Sequence, residues 1–259
     1  MVVERTPAAE PRTSAITYGD FADILKPDSK WMQAGFPTPD GFWEYREPNA
    51  LILVQNDRLR VTAVPLTRSH DGVQILDNAK HMYFSRERFT VPENGEISIG
   101  TEITARVFNG VPEDLYDGFV SLNLLDFTTG LAIDFFVCNE KFATVYARLP
   151  FPGTTITDTA GAGKPNVFAI FKELPLPAGP QQSHRYRITY SHTDDTFSWY
   201  VNDELVNRET GVPVKMDGFI CALGLMTEKD IRDGKSASLH GQGIAGEWAP
   251  LVITKSAPA

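Results

Sequence analysis

Cysteine, basic residues and long apolar runs are all scarce in this 259-residue chain. Two cysteines, Cys138 and Cys221, cannot make a disulfide framework. Both sit inside apolar runs (FFVCNE and GFICALGL), where a cysteine acts as a small buried hydrophobe. Their pairing across strands stays open, and such sparse cysteine favours a cytoplasmic location. Lys and Arg number 24 against 33 Asp and Glu, a net charge of -9. With no basic run to displace counterions, nucleic acid and anionic membrane are not expected as partners. No stretch approaches the roughly 20 apolar residues of a membrane helix. The opening residues, MVVERTPAAEPRTSAITYGD, hold no continuous apolar core of a secretory signal, although a processed chain would read the same.

Cofactor and nucleophile motifs are missing as well. No G-x-S-x-G elbow occurs, and no G-x-G-x-x-G follows a strand. GAGK at 161–164 precedes Pro165 rather than the Ser or Thr of a phosphate loop. The five histidines, His70, His81, His184, His192 and His240, lack zinc spacing. No cofactor is expected.

What the sequence does contain is strands. ALILVQ and RLRVTAV flank Asn56 and Asp57, a hairpin signal. About ten further short β-type runs follow, and helical periodicity is almost absent. This pattern predicts an all-β, two-sheet antiparallel β-sandwich in one domain over residues 16–255. Residues 1–15 read as a loose segment, and the terminal KSAPA as frayed. LPFPGTTITDTAGAGK (Leu149 to Lys164) and HGQGIAGEW (His240 to Trp248) read as flexible loops. TEKDIRDGK, from Thr227, reads as a short surface turn.

The run GLAIDFFVCNEKFATVYARL, from Gly130, poses the functional question. Alternation puts Leu131, Ile133, Phe135 and Val137 on one wholly apolar face. Ala132, Asp134, Phe136 and Cys138 share the other. A lone acid among small and aromatic neighbours is either a paired structural group or part of a cleft.

SHRYRITYSHTDDTFSWYVNDELVNRETGVP, from Ser183, resembles the concanavalin A-like lectin/glucanase sandwiches, including the laminarinase-type family 16 glycosidases. In those, an "H-x-Y-x-I" strand precedes "W-Y-V-D-G-x-x-V". His184, Tyr186, Ile188, Trp199, Tyr200, Val201, Asn202, Asp203 and Val206 occupy the matching places. NDRLRVTAV, from Asn56, is similar to the early "D-G-x-L-x-I" strand. The resemblance spans about residues 50–254 and implies a jelly roll, in which an outer-face calcium sometimes occurs. It also implies a catalytic strand of the form "E-I-D-x-E". Laid on GLAIDFFV, the nucleophile position falls on Ala132, the helper on Asp134 and the acid/base on Phe136, or on Val137 if a bulge intervenes. Only the helper survives. Retaining hydrolysis needs two carboxyls about 5–5.5 Å apart, and Glu140, six residues on, lies roughly 20 Å away along a strand.

A cleft bordered by Ala132, Asp134 and Phe136, with Tyr146 and Arg148 on the next strand, suits a largely apolar small molecule. His81 and Tyr83, on the face opposite Lys80, Met82 and Phe84, can supply acid/base groups, with Arg86 and Arg88 close behind. Trp199 is a candidate for contact with substrate; since Trp199 and Tyr200 fall on opposite faces, at most one can reach it. Trp31, Trp43 and Trp248 are either core or sugar platforms. The acids of EDLYDGF (Glu113 to Phe119) read as a solvated turn.

The leading expectation is a cofactor-free enzyme performing non-hydrolytic acid/base chemistry of the cyclase, isomerase, dehydratase or lyase type. Asp134, His81 and Tyr83 would be its catalytic residues. A carbohydrate- or lipid-like binding module is the alternative. A glycosidase with relocated acids, such as Asp126 with Asp134, is the third.

Overall fold

A computed structural model describes residues 12–19, 21–38, 41–70, 79–159, 164–177 and 182–257. In chain order the strands are β1 (Arg12–Tyr18), β2 (Trp31–Gln33), β3 (Gly35–Thr38), β4 (Gly41–Glu44), β5 (Leu51–Gln55) and β6 (Arg58–Ala63). Next come β7 (Lys80–Ser85), β8 (Phe89–Thr90), β9 (Glu96–Phe108), β10 (Phe119–Asp126), β11 (Leu131–Val137), β12 (Lys141–Arg148) and β13 (Phe168–Pro175). β14 (His184–Ser191), β15 (Thr196–Val201), β16 (Glu204–Thr210), β17 (Gly218–Met226), β18 (Gly243–Trp248) and β19 (Leu251–Ala257) complete the set.

The described strands form two large antiparallel sheets, one ordered β16-β15-β14-β9-β18-β6-β5 and the other β13-β12-β11-β10-β17-β7-β2. β8 joins the second at β17, while β3 and β4 make a separate hairpin. This is the sandwich that the alternating sequence required. Two hairpins close as the local chemistry dictates: Asn56 and Asp57, then Asn202 and Asp203, all adopt positive φ, the left-handed geometry that two-residue turns demand and Asn and Asp tolerate.

Near both ends the described residues join strands. Residues 12–15 belong to β1, which runs antiparallel along β19 from Arg12 opposite Ala257 to Tyr18 opposite Leu251. Residues 1–11 lie outside the described residues. Lys255, Ser256 and Ala257 are part of β19, so KSAPA begins inside a sheet. Gly243–Trp248, expected as loop, is β18 and lies between β9 and β6. Its glycines hid it: a Cβ on Gly246 would stand 2.8 Å from the Trp248 ring and 2.9 Å from Leu225, so the strand is glycine-rich because it packs closely.

Between the sheets, Leu131, Ile133, Phe135 and Val137 of β11 pack with Tyr186, Ile188, Phe197 and Trp199 of the opposite sheet. A second apolar cluster occupies the other face of β11, bringing Ala132 and Phe136 together with Met82, Phe84, Phe36 and Tyr45. Cys221 is in the first cluster, whereas Cys138 packs against the second. Both thiols are free, on opposite faces of one sheet.

Candidate functional site

The second cluster borders a cavity of about 460 Å³ on the outer face of the β11 sheet. Register explains where it lies. Ala132, Ala147 and Ala169 face one another across β11, β12 and β13, and all three line the cavity. Three methyl side chains in a row leave a trough, which Phe84, Phe127, Phe151 and Phe171 border as larger walls. The β3–β4 hairpin forms another side through Gly35 and Phe36. Its base is tied to β7 by bonds from the Ala34 N–H to the Met82 carbonyl and from the Met82 N–H to the Tyr45 carbonyl, at 2.8 and 3.0 Å.

Asp134 lies in this trough at 5% exposure. Its backbone pairs with Asn123 on one side and Val145 on the other, and Trp199 Nε1 donates to its carbonyl oxygen at 3.1 Å. The carboxyl is less well served, for Oδ1 has no hydrogen-bond partner among the described residues. Burial raises its pKa well above the ordinary 3.8; Glu228 adds repulsion, and Lys80 acts in the opposite sense.

Besides Asp134, the charged and amide residues of the lining are Lys80, Asn123, Arg148 and Glu228, and Tyr45 adds a phenol. Lys80, expected on the face away from the cleft, is corrected to the cavity side, and Glu228 is not among the residues the sequence singles out. Glu228 stands just past the end of β17, in the polar TEKDIRDGK run, where nothing in the local pattern separates a cavity acid from surface ones.

The other residues singled out from sequence fall in several places. Ala132 and Phe136 flank Asp134 on the cavity face, and Phe136 stacks on Phe119 with ring centroids 4.1 Å apart. Arg148 borders the cavity with its guanidinium committed to Asp158 at 2.6 Å and to the Thr129 carbonyl at 2.9 Å. That pairing holds the Asp158 carboxyl down at about 2.

His81 and Tyr83 are corrected to the inner face. Lys80, Met82 and Phe84 take the cavity side because they pair with Met226, Gly224 and Ala222 of β17. Two polar rings survive inside because they satisfy each other. The Glu47 N–H donates to His81 Nδ1 at 3.2 Å, which leaves the ring proton on Nε2 for the Tyr83 hydroxyl 3.1 Å away. Burial, aided by Arg46, lowers the His81 pKa to about 4, and burial raises Tyr83 to about 12. Both are neutral structural groups. His81→Leu should therefore cost about 1–3 kcal/mol, the usual loss when buried partners are orphaned, and leave ligand affinity in the cavity unchanged; thermal melts and a binding titration check both halves.

Tyr146 is likewise corrected to the interior, opposite Ile133 and packed on Phe168 and Phe197. Trp199 is fully buried between the sheets, and Tyr200, on the outside, stacks under the Arg187 guanidinium at 3.9 Å. Arg86 holds the 27–32 segment through the Ser29 and Pro27 carbonyls, at 2.9 and 3.0 Å, rather than a ligand. Asp126 is three residues from Asn123, the partner of Asp134, and so points to the opposite face. It accepts from the Thr128 N–H and Thr129 hydroxyl in the following turn, at 3.1 and 2.8 Å. The two acids of the third alternative are therefore not brought together. Glu140 borders a separate cavity of about 220 Å³.

Trp31 and Trp248 are core. Trp43 is half-buried, with Arg68 4.2 Å over its ring and His70 edge-on. Asp117 of EDLYDGF is not solvated but buried, accepting from the Val111 N–H at 2.7 Å and bonded to His240 at 2.9 Å. Among the described residues no three His, Cys, Asp or Glu side chains converge as a metal site.

The fold is that of the glucanases. An endo-1,3-beta-glucanase from Streptomyces sioyaensis superposes with a TM-score of 0.58 at 13% identity, over 98% of this chain and 100% of that one. The catalytic domain of an endo-1,3-beta-glucanase (laminarinase) from Thermotoga petrophila gives 0.55 at 14%, over 95% and 98%. The Bacillus licheniformis beta-glucanase gives 0.55 at 11%, with the same coverage. At such identities the likeness concerns architecture alone. No curated protein sequence matches. Residues 18–257 match the family of unknown function DUF6081, and the chain belongs to that family.

Proposed function

We propose that the protein is a cofactor-independent enzyme of small-molecule metabolism that uses Asp134 as a general acid on a largely apolar substrate. One observation carries this reading: a buried carboxyl with a partnerless oxygen lies in an apolar trough large enough for a small molecule. Burial lets an acid in such a place keep its proton to higher pH than an exposed aspartate, ready to donate. Ala132 and Phe136, at the positions where the resemblance puts the glucanase nucleophile and acid/base, supply space and an aromatic wall instead of carboxyls. This supports proton transfer without glycosidic hydrolysis, of the isomerase or cyclase type. The apolar enclosure would hold a flexible substrate near its reactive conformer, which lowers the entropic part of the barrier.

The test is a thermal-shift screen against oligosaccharides on one side and apolar polyketide-, terpene- and fatty-acid-like compounds on the other. A ligand at a hundredfold its dissociation constant adds about 2.7 kcal/mol, or roughly 5–10 °C for a domain of this size. Stabilisation confined to apolar compounds is the expected result, and those compounds then enter a turnover assay. Stabilisation confined to oligosaccharides contradicts the reading. Apolar hits that are never converted would make the protein a carrier.

A further inference from the structure

The segment after β17 brings a second carboxyl to the same cavity, and its backbone is held firmly. The Glu228 N–H donates to the Tyr116 carbonyl at 2.9 Å. The adjacent Lys229 ammonium pairs with the Asp114 carboxylate and lies 3.2 Å from that of Asp117. Burial works against the Asp117 carboxylate, but bonds from Val111, His240 and Lys229 outweigh it and keep its pKa below the ordinary value. Lys229 is thereby anchored to a fixed anion, while Glu228 borders the cavity. Its Oε2 is buried with no hydrogen-bond partner among the described residues, as is Asp134 Oδ1.

Two partnerless carboxyl oxygens in one apolar cavity are costly when both groups are ionised. The groups facing them do not remove that cost. Lys80, from β7, offsets one negative charge, and the Leu124 backbone of β10 favours the Asp134 carboxylate less than either burial or Glu228 opposes it. Asn123, from β10, spends its amide N–H groups on Ser121 Oγ and the Ala222 carbonyl. The Tyr116 hydroxyl is bonded to Glu173, and Arg148 is bonded to Asp158 and Thr129. The remaining remedy is a shared proton.

We infer that Asp134 and Glu228 form an acid–base pair that shares one proton, Asp134 as donor and Glu228 as acceptor, with an oxygen function of the substrate between them. The substrate part rests on the small-molecule reading above; the pair itself does not. For a carbonyl compound the Asp134 O–H bond breaks as its proton passes to the carbonyl oxygen. Glu228 takes the proton from the neighbouring carbon, and the released C–H electron pair becomes the C=C bond of an enol. The substrate gains one proton and loses one. Solvent then carries the proton from Glu228 back to Asp134, so the pair suits isomerisation or cyclisation.

The experiment is the pH dependence of thermal stability for the parent, Glu228→Gln, Asp134→Asn and the double variant. Burial, against the pull of Lys80, raises Glu228 from 4.5 to about 7. A carboxyl that binds its proton more tightly when folded subtracts stability as pH rises from the unfolded value through the folded one, with no further change above it. Glu228→Gln should therefore melt several degrees above the parent at pH 8 and together with it at pH 4. In the Asp134→Asn background the gain should shrink, because no second carboxyl is left whose ionisation the Glu228 charge opposes. Equal gains in both backgrounds, or a Glu228→Gln variant no more stable than the parent at pH 8, would overturn the pair. An apolar screen without hits leaves this cycle untouched, whereas additive gains dismantle the pair even when apolar ligands bind.

Discussion

Trp199→Ala should lower the stability of the protein by about 3–5 kcal/mol, the cost of emptying a fully buried indole site, and its melting temperature by roughly 10 °C. Two effects add. Trp199 is completely enclosed between the sheets, close to Phe197 and in the same cluster as Phe135 and Ile188, so a large cavity remains. The indole N–H is also the donor to the Asp134 carbonyl, and its loss removes that buried bond behind the cavity floor. Trp199→Phe separates the effects by keeping much of the volume and losing only the donor. It should cost about half as much or less. Calorimetric melts of the two variants measure both, and a Trp199→Ala protein as stable as its parent would mean that the sheets do not close over this residue.

Asp134→Asn should leave the fold intact and reduce turnover of any converted compound by about 10²–10⁴, the range for losing a general acid. The amide preserves shape and cannot donate a carboxyl proton. Stability should move the other way. Burial raises the Asp134 pKa well above 3.8, so the native protein loses stability as pH rises from the unfolded value to the raised one. The variant has nothing to lose, and above that window it should be the more stable protein. A change that lowers activity while raising stability marks a residue kept for chemistry rather than for folding. Unchanged turnover in a converted compound would remove Asp134 from the reaction.

The sequence carried the sandwich and the face on which Asp134 lies because β11 is asymmetric. One face of LAIDFFV is wholly apolar, the other holds the acid, and alternation then leaves no choice. β7, KHMYFS, gives no such guidance. Polar and apolar side chains occur on both faces, and chemistry alone suggests that His81 and Tyr83 should meet a ligand. Their mutual hydrogen bond is a tertiary fact that period-two reasoning does not contain. Tyr146 and Trp199 lie in the core and not at the cavity, a difference that alternation does not reveal because a large aromatic fits a core and a cleft equally well. Glu228 was invisible for another reason: it follows a strand end, where periodicity stops. Its place at the cavity depends on Tyr116, Asp114 and Asp117, more than a hundred residues earlier in the chain. The row of Ala132, Ala147 and Ala169 likewise needs strand register, which one chain's pattern does not fix.

The most direct measurement is a carboxyl carbon-13 titration of Asp134 between pH 3 and 8, assigned by loss of the signal in Asp134→Asn. The midpoint should lie well above 3.8, because burial opposes the charged form. An Asp134 carboxyl that ionises at or below 3.8 would contradict it, since no poised acid would then stand in the cavity.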